Sequence, residues 1–134
     1  MGDPSLREAF RDYIFPPPPT GACNEWCAPL HLVERAVAGE PFAANFRVED
    51  FMVMAAVRRR GRPRLYLYKH SFTRRYLNVD ANGGTWRYVP GRYDRPGDQG
   101  TYVRCTNLRA AIDELRLWEL PRFAGWADEA RGGG

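Results

Sequence analysis

The chain has 134 residues, of which 44% are hydrophobic and 27% charged, and its formal net charge at pH 7 is +4. This size and composition are typical of one folded domain, so we expect a single domain over residues 1–134 and exclude a largely disordered chain. The sequence contains no apolar run of the roughly 18 residues that a membrane-spanning helix needs, and its charged N-terminus does not resemble a signal peptide. We therefore expect an intracellular protein, cytoplasmic or nuclear, without membrane association.

The basic residues are concentrated in the middle of the chain. From Arg58 to Arg104 there are twelve basic and three acidic residues, a balance of +9, so the remainder carries −5. A strongly basic stretch is typical of a surface that meets an acidic partner, and nucleic acid is one such partner.

Two helices are predicted before the basic stretch. The first covers residues 4–14, because an Asp-Pro start is followed by apolar residues at helical spacing. Four prolines within residues 16–22 end this helix and favour an extended, Pro-rich spacer. The second helix covers residues 28–38, with Pro29 in its first turn and Gly39 after its end.

A basic antiparallel sheet is predicted over residues 51–105. The apolar run FMVMAAV and the alternating RLYLYKH favour two strands joined by an arginine-rich tip. The Asn-Gly of DANGG supplies the positive φ angles of a tight turn, which predicts a second hairpin from residues 75–79 and 85–89. The segment TYVRC is a possible fifth strand.

A C-terminal helix is predicted over residues 107–118, capped by Thr106 or Asn107, and a flexible tail over residues 127–134. The order of elements predicts an α+β fold. In this fold an antiparallel sheet of four to five sequential strands carries two N-terminal helices and one C-terminal helix packed on it.

The arginine-rich tip is the first candidate site. Its stretch RGRP, residues 60–63, resembles the core of the AT-hook, an extended motif that lies in the narrow minor groove of A/T-rich DNA. The resemblance covers four residues, and a hairpin would impose its own conformation on them. The alternatives are a tip that contacts phosphates and a turn that is only solvated.

The alternation of tyrosine and tryptophan with cations along the sheet is the second candidate site. Rings stack on bases while cations neutralise phosphates, so the pattern favours largely sequence-independent binding of nucleic acid, DNA ahead of RNA. The same rings are also ordinary strand formers that pack on neighbouring strands. The residues predicted to contact nucleic acid are Arg58, Arg59, Arg60, Arg62, Arg64, Tyr66, Tyr68, Lys69, Arg74, Arg75, Trp86 and Arg87.

A protein-interaction or regulatory module is the alternative function. In that hypothesis the basic sheet meets an acidic protein partner, and the aromatic residues form the core of an interface, which includes a homodimer.

A zinc site is a further possibility, because Cys23, Cys27 and His31 have the spacing C-x3-C-x3-H and Cys105 or His70 could supply a fourth ligand. Pro29 interrupts a regular helix through this segment, and buried reduced thiols are the ordinary alternative, so no cofactor is expected. An enzyme is not expected either. His70 and Cys105 are the residues that a small enzyme would use.

Overall fold

In the part of the chain that the structure describes, six antiparallel strands follow one another across a single sheet in chain order. The computed structural model describes residues 12–15, 25–91 and 100–119. The strands are β1 Tyr13–Ile14, β2 Phe51–Arg59, β3 Arg62–His70, β4 Tyr76–Asp80, β5 Thr85–Val89 and β6 Thr101–Arg104. The helices are α1 Ala28–Val37 and α2 Leu108–Asp113, with short 3-10 turns at Pro41–Ala43, Val48–Asp50 and Leu117–Glu119. The α+β class, the antiparallel pairing and the sequential strand order are confirmed.

The additional strand replaces the end of a predicted helix. Tyr13 and Ile14 pair with Val57 and Ala56 as an edge strand, so the prediction of a helix over residues 4–14 is wrong at its end. A strand lets Ile14 pack on the helix side of the sheet while Tyr13 packs on the other side. The rest of that helix, the spacer at residues 16–22 and the tail at 127–134 lie outside the described residues.

The C-terminal helix is shorter than the predicted 107–118. Asn107 caps α2 as expected, since its Oδ1 accepts a 2.8 Å hydrogen bond from the backbone N–H of Ala110. The helix ends at Asp113, and Arg116 adopts a left-handed φ of +50°. The break lets both Leu115 and Leu117 become buried.

The main core lies between the helices and one face of the sheet. Leu30 and Val33 of α1 and Ile112 of α2 are almost fully buried against strand residues of this face. The strand residues are Ala56, Tyr66, Tyr68, Leu77 and Val79. In the part of the chain that the structure describes, no helix is long and apolar enough to span a membrane.

The sheet is strongly curled, so that its first and last strands approach each other. In a flat sheet, five inter-strand steps of about 4.8 Å would separate β1 from β6 by roughly 24 Å. The hydroxyl oxygens of Tyr13 on β1 and Tyr102 on β6 are nevertheless 3.4 Å apart. Two register shifts in β2, at Met54 and at Arg58, are irregularities of the kind that bend a strand and increase its twist.

Candidate nucleic-acid interface

Aromatic and cationic side chains collect on the sheet face that points away from the helices. We call this face the concave face. It consists of Tyr13, Arg59, Arg62, Lys69, Tyr76, Trp86, Tyr88, Tyr102 and Arg104. A small apolar cluster formed by Ala55, Val57, Leu65 and Leu67 is its floor. The buried floor holds the strands in one register, so the positions of the side chains above it are fixed.

Trp86 is surrounded by three guanidinium groups. The Cζ atoms of Arg59, Arg62 and Arg104 lie 4.4, 5.4 and 5.6 Å from the centre of its ring. These arginines belong to β2, β3 and β6, so the pairing of the sheet brings them together. The aromatic ring attracts each cation. Three guanidinium groups around one ring form a positive surface that suits a phosphate group.

Asp80 is the carboxylate that orients this cluster. It is buried, its Oδ1 accepts 2.9 Å hydrogen bonds from the N–H groups of Asn82 and Gly84, and its Oδ2 accepts one of 2.9 Å from Nε1 of Trp86. Burial by itself raises the pKa of the carboxyl, but these hydrogen bonds and the charge of Arg104 lower it more. Asp80 is therefore ionised at neutral pH and fixes the Trp86 ring.

Tyrosines extend the concave face beyond Trp86. The ring centres of Tyr88 and Tyr102 are 5.2 Å apart, and the ring centre of Tyr76 lies 6.0 Å from Nζ of Lys69. Burial, followed by the hydrogen bond with Tyr13, raises the pKa of Tyr102. Tyr76 and Tyr88 remain 43% and 48% exposed, so their rings are accessible to a planar ligand.

Two predicted contact residues belong to the main core instead. Tyr66 and Tyr68 are 5% and 1% exposed, and Trp26, just before α1, packs edge-on against Tyr66 at 5.7 Å. The Tyr68 hydroxyl donates a 2.8 Å hydrogen bond to the carbonyl oxygen of Trp26. The expectation that these two rings face nucleic acid is wrong, because α1 and the turn before it cover their side of β3.

The arginine-rich segment is the tip of the β2–β3 hairpin, as predicted. Gly61 makes the turn with a φ of +71°, and Nη2 of Arg59 donates a 2.9 Å hydrogen bond to the carbonyl oxygen of Pro63. The tip thereby holds Arg59 and Arg62 on the concave face. The RGRP stretch is held in a hairpin, so the resemblance to the AT-hook does not extend to its conformation. The other arginines of the tip, exposed or half-buried, are Arg58, Arg60 and Arg64.

The remaining predicted cations fall into three places. Lys69 lies on the concave face, beside Tyr76. Arg74 is exposed in the β3–β4 turn, where it has a left-handed φ of +65°. Arg75 and Arg87 line a groove between β4 and β5.

The zinc candidates that the structure describes, Cys27 and His31, do not have the surroundings of metal ligands. Cys27 is disulfide-bonded and therefore has no thiolate to offer a metal, while Cys23 lies outside the described residues. Nδ1 of His31 is 3.2 Å from Oε1 of Glu34. In residues 12–15, 25–91 and 100–119 no group of three or more His, Cys, Asp or Glu side chains is placed to hold a metal ion. The expectation of reduced thiols holds for Cys105, which is free, and not for Cys27.

His70 and Cys105 have the surroundings of structural residues. His70 is fully buried, its Nδ1 accepts hydrogen bonds from the N–H groups of Phe72 at 3.3 Å and Thr73 at 3.1 Å, and Phe51 packs edge-on against its ring. The imidazole thus organises the β3–β4 turn. Burial raises the pKa of the half-buried Cys105 thiol, which disfavours the nucleophilic thiolate.

The residues predicted to contact nucleic acid do not include Asp80 or five members of the concave face, which are Tyr13, Tyr76, Tyr88, Tyr102 and Arg104. A period of two starting at Trp86 could have placed Tyr88 on the same face. The position of Arg104 depends on the β5–β6 register, in which it lies directly opposite Trp86. Eleven residues separate β5 from β6 in the sequence, so this register cannot be read from the sequence.

Comparison of the sequence with protein-family models and with curated proteins, and of the fold with solved structures, finds no match. Any function must therefore be argued from the geometry of the concave face.

Proposed function

We propose that the protein binds single-stranded nucleic acid on the concave face, with little dependence on base sequence. The observation that carries this proposal is the position of two exposed rings, Tyr76 and Tyr88, on the same face as the three guanidinium groups around Trp86. DNA is the form expected from the sequence, and RNA is the comparison in the test.

Stacking favours a single strand over a duplex. The bases of a duplex are stacked on one another, whereas the bases of a single strand can separate and stack on protein rings. Two exposed tyrosines can each accept one base on an aromatic face. Every base has such a face, so this contact carries little sequence preference.

The cations of the concave face supply the second half of the interaction. Arg59, Arg62 and Arg104 lie around Trp86, and Lys69 lies beside Tyr76. Among the described residues, the carboxylate next to these cations is Asp80, which is buried, bonded to Trp86 and 4.0 Å from Arg104. One carboxylate against four cations leaves a net positive charge on this part of the face. Contacts between such cations and phosphates release counterions, so binding becomes weaker as salt rises.

Fluorescence anisotropy tests the proposal with labelled single-stranded DNA, RNA of the same sequence and the corresponding DNA duplex. We expect saturable binding of the single strands that is tighter than binding of the duplex. Replacement of Tyr76 and Tyr88 by Ala should weaken binding at least about tenfold, because each base stacked on a ring contributes about 1–3 kcal/mol. Phe72→Ala is the matched control, since Phe72 is 53% exposed but lies in the β3–β4 turn.

The charge contribution is tested by its salt dependence. Arg62→Ala with Arg104→Ala should reduce the slope of log affinity against log salt by about 1.4, as expected for two lost phosphate contacts to a single strand. Arg47→Ala with Arg109→Ala removes equal charge from positions near the ion-pair partners Glu49 and Asp113 and should leave the slope unchanged. Absence of binding by the unaltered protein at low salt would overturn the proposal and turn the search to an acidic protein partner.

A further inference from the structure

β4 and β5 separate after a short paired segment. Among the described residues these strands pair at Asn78 with Trp86 and at Val79 with Thr85, although both strands continue beyond Asn78 and Trp86. At the point of separation, the buried Asn78 side chain donates a 3.2 Å hydrogen bond from Nδ2 to the carbonyl oxygen of Trp86. The divergence opens a groove of about 400 Å³ between the strands.

The groove is rich in arginine. It is lined by Arg75, Tyr76, Asn78, Arg87, Tyr88, Glu114 and Arg116. The lining has three guanidinium groups and one carboxylate, and Glu119 pairs with Arg116 at 3.1 Å, so a net positive charge remains. Neither Arg75 nor Arg87 forms an ion pair with a carboxylate of the described residues. Their charge is therefore available to an anion.

The groove adjoins the concave face through Tyr76 and Tyr88, which belong to both. Its volume falls within the range of about 300–1,000 Å³ found for ligand pockets. A cavity of about 380 Å³ beside the end of α1 is lined by Glu34 and Glu40 and does not suit an anion. Of these two cavities, only the groove combines aromatic rings with arginines.

Backbone strain also marks this groove. Arg116 has a φ of +50°, in the left-handed region that residues other than glycine rarely occupy. Glycine would adopt this conformation without strain. The strained arginine places its guanidinium group at the groove, where its Nη1 also lies 3.1 Å from Oε1 of Glu119.

We propose that the groove holds one nucleotide of the bound single strand. Its phosphate lies against Arg75, Arg87 and Arg116, and its base lies against Tyr76 or Tyr88. This assignment rests on the proposed function and adds to it a defined subsite, which requires the phosphate as well as the base.

The test combines groove variants with phosphate-bearing and phosphate-free probes. Arg75→Ala with Arg87→Ala should weaken binding of labelled single-stranded DNA at least about tenfold, whereas Arg47→Ala with Arg109→Ala should change it less than about threefold. Thymidine 5′-monophosphate should compete for the groove at high concentration, and thymidine should not. NMR shifts of Tyr76 and Tyr88 would report this competition directly.

Arg116→Gly provides a second variant whose folding is not at risk. It should leave the thermal midpoint unchanged or raise it, because strain is relieved, while it weakens binding of the single strand. If single-stranded DNA binds the unaltered protein and the groove variants equally, the groove assignment is overturned and the proposed function stands. If thymidine 5′-monophosphate binds as tightly as the strand, the assignment to a strand is overturned. If the unaltered protein does not bind the strand at all, the proposed function itself fails.

Discussion

The carboxylate of Asp80 accepts a 2.9 Å hydrogen bond from the indole N–H of Trp86, and this bond joins the end of β4 to the centre of the concave face. The same carboxylate accepts hydrogen bonds from the backbone N–H groups of Asn82 and Gly84 and so stabilises the β4–β5 turn. One buried side chain therefore determines both the turn and the orientation of the ring around which three arginines gather.

Asp80→Asn should lower the free energy of unfolding by about 2–3 kcal/mol at neutral pH. The neutral amide has one acceptor oxygen and points a donor group at N–H groups that also donate, so hydrogen bonds to a charged acceptor are lost. Urea unfolding measures the change. Asp113→Asn is the control, because Asp113 is half-exposed and its carboxylate lies 3.9 Å from Nε of Arg109. This substitution should lower the free energy of unfolding by less than about 1 kcal/mol.

The effect of Asp80 should disappear in acid. Its pKa in the folded protein is lowered from the ordinary value of 3.8, so its contribution to stability is complete above that value and is lost as the pH falls through the folded pKa. Because asparagine does not titrate, the difference in unfolding free energy between the protein and Asp80→Asn should narrow below pH 3.8. A difference that is constant between neutral pH and strong acid would contradict an ionised, hydrogen-bonded Asp80.

Gly84→Ala should disturb the cluster by crowding alone. A Cβ atom at Gly84 would lie 2.6 Å from Oδ2 of Asp80 and 2.8 Å from Cζ of Arg104, so one of these groups must move. We expect the free energy of unfolding to fall by about 1–3 kcal/mol and the NMR resonance of the Trp86 indole N–H to change. Gly39→Ala is the control, because Gly39 has a φ of +85° and no atom lies within 4 Å of the added Cβ. This substitution should lower the free energy of unfolding through backbone strain alone, without altering the Trp86 resonance.

The turn at Asp80 could be predicted from sequence, whereas the face that it supports could not. The Asn-Gly pair requires a positive φ, and Gly83 has a φ of +89°. The register shifts in β2 at Met54 and Arg58 are of the kind that bends a strand, and they leave no mark in the alternation of residues. On β3 both faces are buried, so alternation separates Tyr66 from Leu65 but does not tell which one meets the helices.

Tyr68→Phe should distinguish a core tyrosine from an interface tyrosine. It removes the hydroxyl that donates a 2.8 Å hydrogen bond to the carbonyl oxygen of Trp26, so the free energy of unfolding should fall by about 1–2 kcal/mol. Binding of single-stranded DNA should be unchanged, because the ring is 1% exposed. Tyr88→Ala should show the reverse, with weaker binding and a small loss of stability. Weaker binding by folded Tyr68→Phe would place this side of β3 in the interface.

A double-mutant cycle between Tyr13 and Tyr102 tests the curl on which the concave face depends. Their hydroxyl oxygens are 3.4 Å apart although their strands lie at opposite edges of the sheet. Replacing each by Phe, alone and together, should give a coupling free energy of about 0.5 kcal/mol or more, as found for residues in contact. Tyr13→Phe combined with Tyr68→Phe should be additive, because the second hydroxyl bonds to Trp26 on the helix side. Additivity of the Tyr13 and Tyr102 changes would mean that the two edges do not meet, and the tyrosines could not then act with the Trp86 cluster as one surface.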